Sequence, residues 1–220
     1  MVGWEETATS QQVTFDPGSQ LDYPKGSKVT TIESILDNGV FKTADEESLN
    51  LYEHGEYFRN SKGWGDRLVK SSTPVLITNV SNKVINQGIQ HKVQEHIGDY
   101  KTEAVYQYWP AGSYIPWHND GRHKAALTIY LSEHDDDAGG YFMYDDGNGI
   151  KAIKPKPNRS VFVTGGINHC VTTVNQGSSL RRSIQVWLKD PSWSLQNLQS
   201  EYLVLATAGH YEPGHRFAIT

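Results

Sequence analysis

The sequence predicts a mainly β fold with some helix, a double-stranded β-helix (jelly roll) backed by one or more N-terminal helices. Three observations predict it. Beyond Gly98 the apolar period becomes two, and about eight short runs rich in β-branched and aromatic residues follow, set apart by Gly, Pro, Asn and Asp clusters. Ahead of Gly98, Val84, Ile85, Ile89, Val93 and Ile97 recur at helical spacing. No internal repeat is visible, and 220 residues with 37% hydrophobic content suffice for one sizeable core.

Residues 1–28 are polar, with turn signals at Asp16-Pro17-Gly18 and Pro24-Lys25-Gly26, and read as an arm. A helix is expected over 45–57, begun by Thr43-Ala44-Asp45-Glu46 and ended near Gly55. Residues 72–80, with Pro74-Val75-Leu76-Ile77, fit a strand or a loop. Asn82 is placed to cap the helix that runs to Ile97, and Gly98 stands just past its end. Strands are then expected over 102–108, 114–118, 125–131, 140–144, 150–153, 160–163, 169–174 and 181–188. The last stretch, 190–220, carries Trp193, Leu195, Tyr202, Leu203 and Leu205, enough to pack on the core before a polar tail. The organisation expected is therefore an N-terminal arm and helical extension at 1–70, a jelly-roll core at 71–190 and a packing segment with tail at 191–220.

Composition narrows the function. A formal charge of -5 supplies no basic excess for a phosphate backbone, so a nucleic-acid partner is disfavoured. The single cysteine, Cys170, forms no internal disulfide and suits a reducing cytoplasm. Residues 1–12 lack the basic start and apolar run of a secretory signal, and the longest apolar stretch, near Leu203, is too short to span a bilayer. A cytoplasmic protein without a membrane partner is the expectation.

The chemistry centres on Tyr108-Trp-Pro-Ala-Gly-Ser-Tyr-Ile-Pro-Trp-His-Asn-Asp120. On a strand, His118 and Asp120 leave the same face roughly 6 to 7 Å apart, which lets both reach one metal ion. A His and an Asp at this spacing are ordinarily a surface hydrogen-bonded pair. With His169 as a third ligand they become the two-histidine, one-carboxylate set of non-haem iron, which leaves coordination positions open.

His118-Asn-Asp120, then His169, then Arg181-x-Ser183 on a late strand resembles the Fe(II)- and 2-oxoglutarate-dependent dioxygenases, in particular the prolyl-4-hydroxylase-like branch, over roughly 101–190. The resemblance implies Fe(II) on His118, Asp120 and His169, 2-oxoglutarate as co-substrate, O2, and ascorbate as an accessory. It also implies that the far carboxylate of 2-oxoglutarate is met by a cation, a role that suits the planar fork of arginine. Ser183, Tyr108 and Tyr130 match the family's further contacts to that carboxylate. Arg181 stands twelve residues after His169, a longer separation than the family commonly shows, so Arg181 and Arg182 both come into question. Strand alternation groups Arg181 with Ser183, Gln185 and Trp187, and groups Arg182 with Ile184, Val186 and Leu188. The first set suits a polar pocket and the second suits packing, which favours Arg181. Trp109, Tyr114 and Trp117 flank the ligands and are candidates for a substrate groove, or for core.

The function expected from the resemblance is hydroxylation of a C–H bond, first of a prolyl residue in a peptide or protein, with 2-oxoglutarate decarboxylated to succinate. The alternatives are hydroxylation of a free amino acid or other small metabolite, and, in another class, a non-catalytic jelly-roll metal-binding module. The acidic runs 133–137 and 145–149 lack the spacing of a calcium loop and read as solvated turns. The resemblance implies that Gly139-Gly140 serves a tight approach to the next strand; Gly165-Gly166 is expected at a turn, and Cys170 as a small buried hydrophobe. His54, His91, His96, His123, His134, His210 and His215 have no partner at ligand spacing and read as surface or packed histidines.

Overall fold

A computed structural model of the chain describes residues 28–59, 75–118, 125–164 and 167–189. The expected arm up to residue 27, the C-terminal packing residues Trp193 to Leu205, and Asp120, His123, Gly165, Gly166, His210 and His215 lie outside the described residues. In chain order the elements are β1 (Val29–Ile32), α1 (Asn38–Glu53), β2 (Phe58–Arg59), β3 (Leu76–Asn79), α2 (Lys83–His96), β4 (Lys101–Trp109), β5 (Ile115–His118), β6 (Ala125–Tyr130), β7 (Phe142–Asp145), β8 (Ile150–Ile153), β9 (Ser160–Thr164), β10 (Asn168–Val171) and β11 (Arg181–Lys189).

The strands form two antiparallel sheets, one of seven strands in the order β1-β9-β6-β11-β4-β3-β2 and one of four in the order β5-β10-β7-β8. This is the double-stranded β-helix the alternation predicts. Because side chains alternate across a strand, the large sheet has two working faces. Its outer face presents Tyr106, Tyr108, Leu127, Ile129, Ile184, Val186 and Leu188, which pack with Ile85, Ile89 and Val93 of α2 and Ala44 of α1. Full burial of such aliphatic side chains stabilises the fold by about 1.5 to 3 kcal/mol each. Its inner face carries Tyr130, Val161 and Val163, clustered with Phe142 of the small sheet, and leaves a pocket between the sheets.

Helix α2 begins as expected, with the Asn82 side chain accepting from the Val84 amide at 3.0 Å. Val84 itself is 58% exposed, so the buried face is Ile85, Ile89 and Val93. Helix α1 differs from its expectation, because it starts at Asn38 rather than near Asp45. Asp45 does not mark a helix start; its carboxylate pairs with Arg182 at 2.7 Å. The helix stops at Glu53, and Gly55 turns the chain with φ +68°, the left-handed region that favours glycine. The 72–80 run contains strand β3, paired with β4. Strand β1, just past the segment read as an arm and not anticipated, adds Val29–Ile32 to β9 at one edge of the large sheet. β2 is likewise a short edge strand, on β3.

Candidate active site

Strands β5 and β10 set His118 directly opposite His169 in register, and the two rings lie 4.3 Å apart at 55°. Each ring is fixed in the same way. His118 Nδ1 donates to the carbonyl of Pro116 at 2.8 Å, and His169 Nδ1 donates to that of Ile167 at 2.9 Å. A proton held on Nδ1 makes Nε2 the ligating atom, which is the arrangement metal-bound histidines adopt. Phe142 stacks on His169 at 5.2 Å and 25°. Among the described residues no third His, Cys, Asp or Glu joins this pair, and Asp120, the expected carboxylate, lies outside them.

Arg181, at the start of β11, is 1% exposed. Its guanidinium carbon lies 4.4 Å from the Trp109 ring centroid and 5.2 Å from that of Tyr130. Nε and Nη1 are buried without a hydrogen-bond partner. Burial opposes its charge and pulls its pKa down, with Tyr130 acting the other way. An arginine keeps its proton, so the arrangement is a desolvated cation with unspent donors, and such a group calls for an anion. Burial likewise raises the pKa of Tyr130 and keeps its hydroxyl protonated as a donor beside the arginine. Arg182, one residue on, turns to the outer face and pairs with Asp45 of α1.

Tyr108 does not take part in this cluster. Its Cα pairs with Arg182 across β4 and β11, which puts it on the helix-facing side, where its hydroxyl donates to the Ser48 carbonyl at 2.9 Å. The residue opposite Arg181 is Trp109. Alternation along β4 therefore gives Trp109 the place against Arg181, and this tryptophan is 2% exposed rather than open to a substrate groove. Its indole N–H donates to the Ser183 hydroxyl at 3.2 Å, and that hydroxyl donates to Gln107 Oε1 at 3.4 Å. Ser183 thus supports Trp109 behind the arginine. Tyr114 is half-buried, and Trp117, beside His118, is 44% exposed.

The His pair and Arg181 line one pocket between the sheets, about 520 Å³ including its open mouth. Its polar lining includes Gln185, which strand alternation groups with Arg181, and two residues not singled out from sequence, Gln107 and Thr128. The Thr128 hydroxyl donates to Gln185 Oε1 at 2.9 Å. For Gln107 the available signal was its place between Tyr106 and Tyr108 in the apolar half of β4, since a buried polar side chain is the informative exception in a core. Gly140, with φ +62°, passes over the arginine: a Cβ there would stand 2.8 Å from Arg181 Cδ. Cys170, next to His169, is buried, and burial pushes its thiol up to about 11.

Residues 104–189 match the family model described as the 2OG-Fe(II) oxygenase superfamily. No curated protein matches the chain. Among solved structures, a prolyl-4-hydroxylase from Pseudomonas putida is similar with a TM-score of 0.61 at 15% identity, over 76% of this chain and 95% of that one. A Trichoplax adhaerens prolyl hydroxylase, in complex with a hypoxia inducible factor oxygen degradation domain peptide fragment, has a TM-score of 0.59 at 15% identity, over 76% and 85%. The non-haem alpha ketoglutarate dependent epimerase SnoN of nogalamycin biosynthesis has a TM-score of 0.57 at 12% identity, over 76% and 79%.

Proposed function

We propose, from the match of residues 104–189 to the 2OG-Fe(II) oxygenase superfamily model, that this protein is such an oxygenase and hydroxylates a C–H bond of a prolyl residue in a peptide or protein. The observation that carries the oxygenase part is the pairing, in one pocket, of two Nδ1-protonated histidines with a buried arginine whose Nε and Nη1 have no partner. The histidines fit a divalent metal through Nε2, and the arginine fits a carboxylate. His118, His169 and Asp120 would hold Fe(II), and Arg181 with the Tyr130 hydroxyl would hold the far carboxylate of 2-oxoglutarate. When bound, the metal and co-substrate supply the oxidising power for hydroxylation, with O2 consumed and succinate and CO2 released.

The chain's own residues do the positioning. Trp109 and Tyr130 flank the guanidinium, Ser183 and Gln107 hold Trp109, and Pro116 and Ile167 fix the imidazoles through their carbonyls. Phe142, Val163 and Val171 supply apolar wall that excludes water and strengthens each charge interaction inside. Prolyl specificity is supported by the prolyl hydroxylases among the similar folds, and the epimerase among them shows that this fold also serves small molecules.

The test is to incubate the protein with Fe(II), ascorbate and 2-oxoglutarate and a panel of proline-containing peptides and free amino acids. Mass spectrometry should find a peptide that gains one oxygen atom in step with succinate release. Oxygen gain on a free amino acid alone would move the substrate to the small-molecule class. If no substrate is oxidised and the protein binds neither Mn(II) nor 2-oxoglutarate, the enzyme reading is wrong and a non-catalytic module takes its place.

A further inference from the structure

Four buried polar atoms without a partner belong to one neighbourhood: Arg181 Nε and Nη1, the Tyr130 hydroxyl and His134 Nδ1. The first three are accounted for by an anion on Arg181. His134 is not, and it reads from sequence as an ordinary histidine. It is 7% exposed, its ring meets Tyr141 edge-on at 6.2 Å, and its Nε2 donates to the carbonyl of Gly139. Gly139 and Gly140 both have positive φ, +68° and +62°. They form a crossing that is held at its far side by Gly140 N donating to Thr173 O at 3.0 Å and Asn175 N donating to Ala138 O at 2.8 Å. At the site of a Gly140 side chain the nearest atoms are Arg181 Cδ at 2.8 Å and Nε at 3.2 Å. The crossing therefore bears directly on the stem of the arginine, and the histidine bears on the crossing.

We propose that His134 is a positioning residue for the co-substrate anchor: through its hydrogen bond to the Gly139 carbonyl it holds the Gly139-Gly140 crossing against Arg181 and so fixes where the guanidinium points. The inference rests on the reading of Arg181 as the anchor of the 2-oxoglutarate far carboxylate. A backbone crossing is suited to this task because no side chain intervenes between it and the arginine stem, so a small shift of Gly139 is passed on to Nε. Burial and the neighbouring Arg181 both lower the pKa of His134 and favour the neutral ring, which keeps a second positive charge away from the anchor.

The test compares His134→Met, which keeps the volume and loses the donor, with His134→Gln, which keeps a donor for Gly139. Binding of 2-oxoglutarate is measured by calorimetry on the Mn(II)-loaded protein without oxygen, alongside Mn(II) affinity and turnover. His134→Met should weaken 2-oxoglutarate roughly tenfold, the scale of one lost hydrogen bond. Mn(II) affinity should be unchanged, KM for 2-oxoglutarate should rise with kcat at saturation retained, and His134→Gln should recover most of the loss. A folded His134→Met protein that binds 2-oxoglutarate as tightly as the unaltered protein overturns the inference, as does equal weakening of metal and co-substrate. If His134→Met does not fold, Asn175→Ala, which loosens the other end of the crossing where its side chain donates to Asp137 O, decides: weaker 2-oxoglutarate binding is expected, and unchanged binding overturns the inference. Arg181→Ala separates the two levels. Unchanged binding in Arg181→Ala removes the anchor reading and this inference with it, whereas a loss there with none in the His134 variants removes only the inference.

Discussion

At the scale of single residues, the sharpest contrast is between Arg181 and Arg182, neighbours in sequence on opposite faces of β11. Arg181→Ala is expected to raise KM for 2-oxoglutarate at least about thirtyfold, because truncating one partner of a buried charge pair costs roughly 2 to 5 kcal/mol. Metal affinity should survive, as followed by Mn(II) titration. Arg182→Ala should leave that KM within about twofold and cost about 1 kcal/mol in denaturant unfolding, through loss of its partly exposed pair with Asp45. Tyrosines give a second contrast of the same kind. Tyr130→Phe should weaken 2-oxoglutarate, while Tyr108→Phe should cost only stability, about 1 kcal/mol for the hydroxyl on Ser48 O. Equal effects of the two on KM would mean that the faces of β4 and β6 have been misassigned. Tyr108 is misplaced by the sequence because only the resemblance to the family assigns it to the carboxylate. The face it occupies depends on which β11 residue it opposes, and no residue count gives that.

Among the elements, the clearest test concerns the link between β1 and α1. Asn158, buried with φ +57°, donates from Nδ2 to Leu36 O at 2.8 Å and accepts at Oδ1 from Leu36 N at 2.9 Å, standing in for a strand neighbour. Asn158→Ala is expected to cost about 2 to 4 kcal/mol and lower Tm by several degrees in calorimetry, since two buried backbone groups lose their partner. A change of Tm under one degree would show that water replaces the side chain without loss. In α2, Ile89→Ala should cost about 2 to 5 kcal/mol and the exposed Val84→Ala less than about 0.5. The strands after Gly98 were legible to within a few residues because each has a buried face that enforces alternation. α2 was legible because three of its apolar residues share one stripe. β1 and β2 were not, since edge strands of four and two residues carry too little pattern to stand out from polar neighbours. The start of α1 is not legible because Asp45 reads as a helix-start signal, whereas its partner is an arginine far along the chain.

For the molecule as a whole, ligand linkage gives the broadest prediction. 2-Oxoglutarate at about a hundred times its Kd, with Mn(II), should stabilise the fold by about 2.7 kcal/mol, and Arg181→Ala should abolish most of that gain at the same concentration. The net charge of -5 predicts no appreciable binding to duplex DNA at physiological salt, which a gel-shift can check. The sequence singles out His118, His169 and Arg181, which line one pocket, because these residue types in this order carry the resemblance. The roles of the supporting cast of Trp109, Gln107, Gly140 and His134 are not legible there, because they arise from cross-strand register and from a backbone crossing. One further consequence follows from the two-faced large sheet. The family match begins at residue 104, but Ile184, Val186 and Leu188 find their cover on α1 and α2, which precede it. A recombinant fragment cut to the matched segment would carry the histidines and the arginine and still leave an oily wall open to water, so the smallest unit worth expressing begins no later than Lys28.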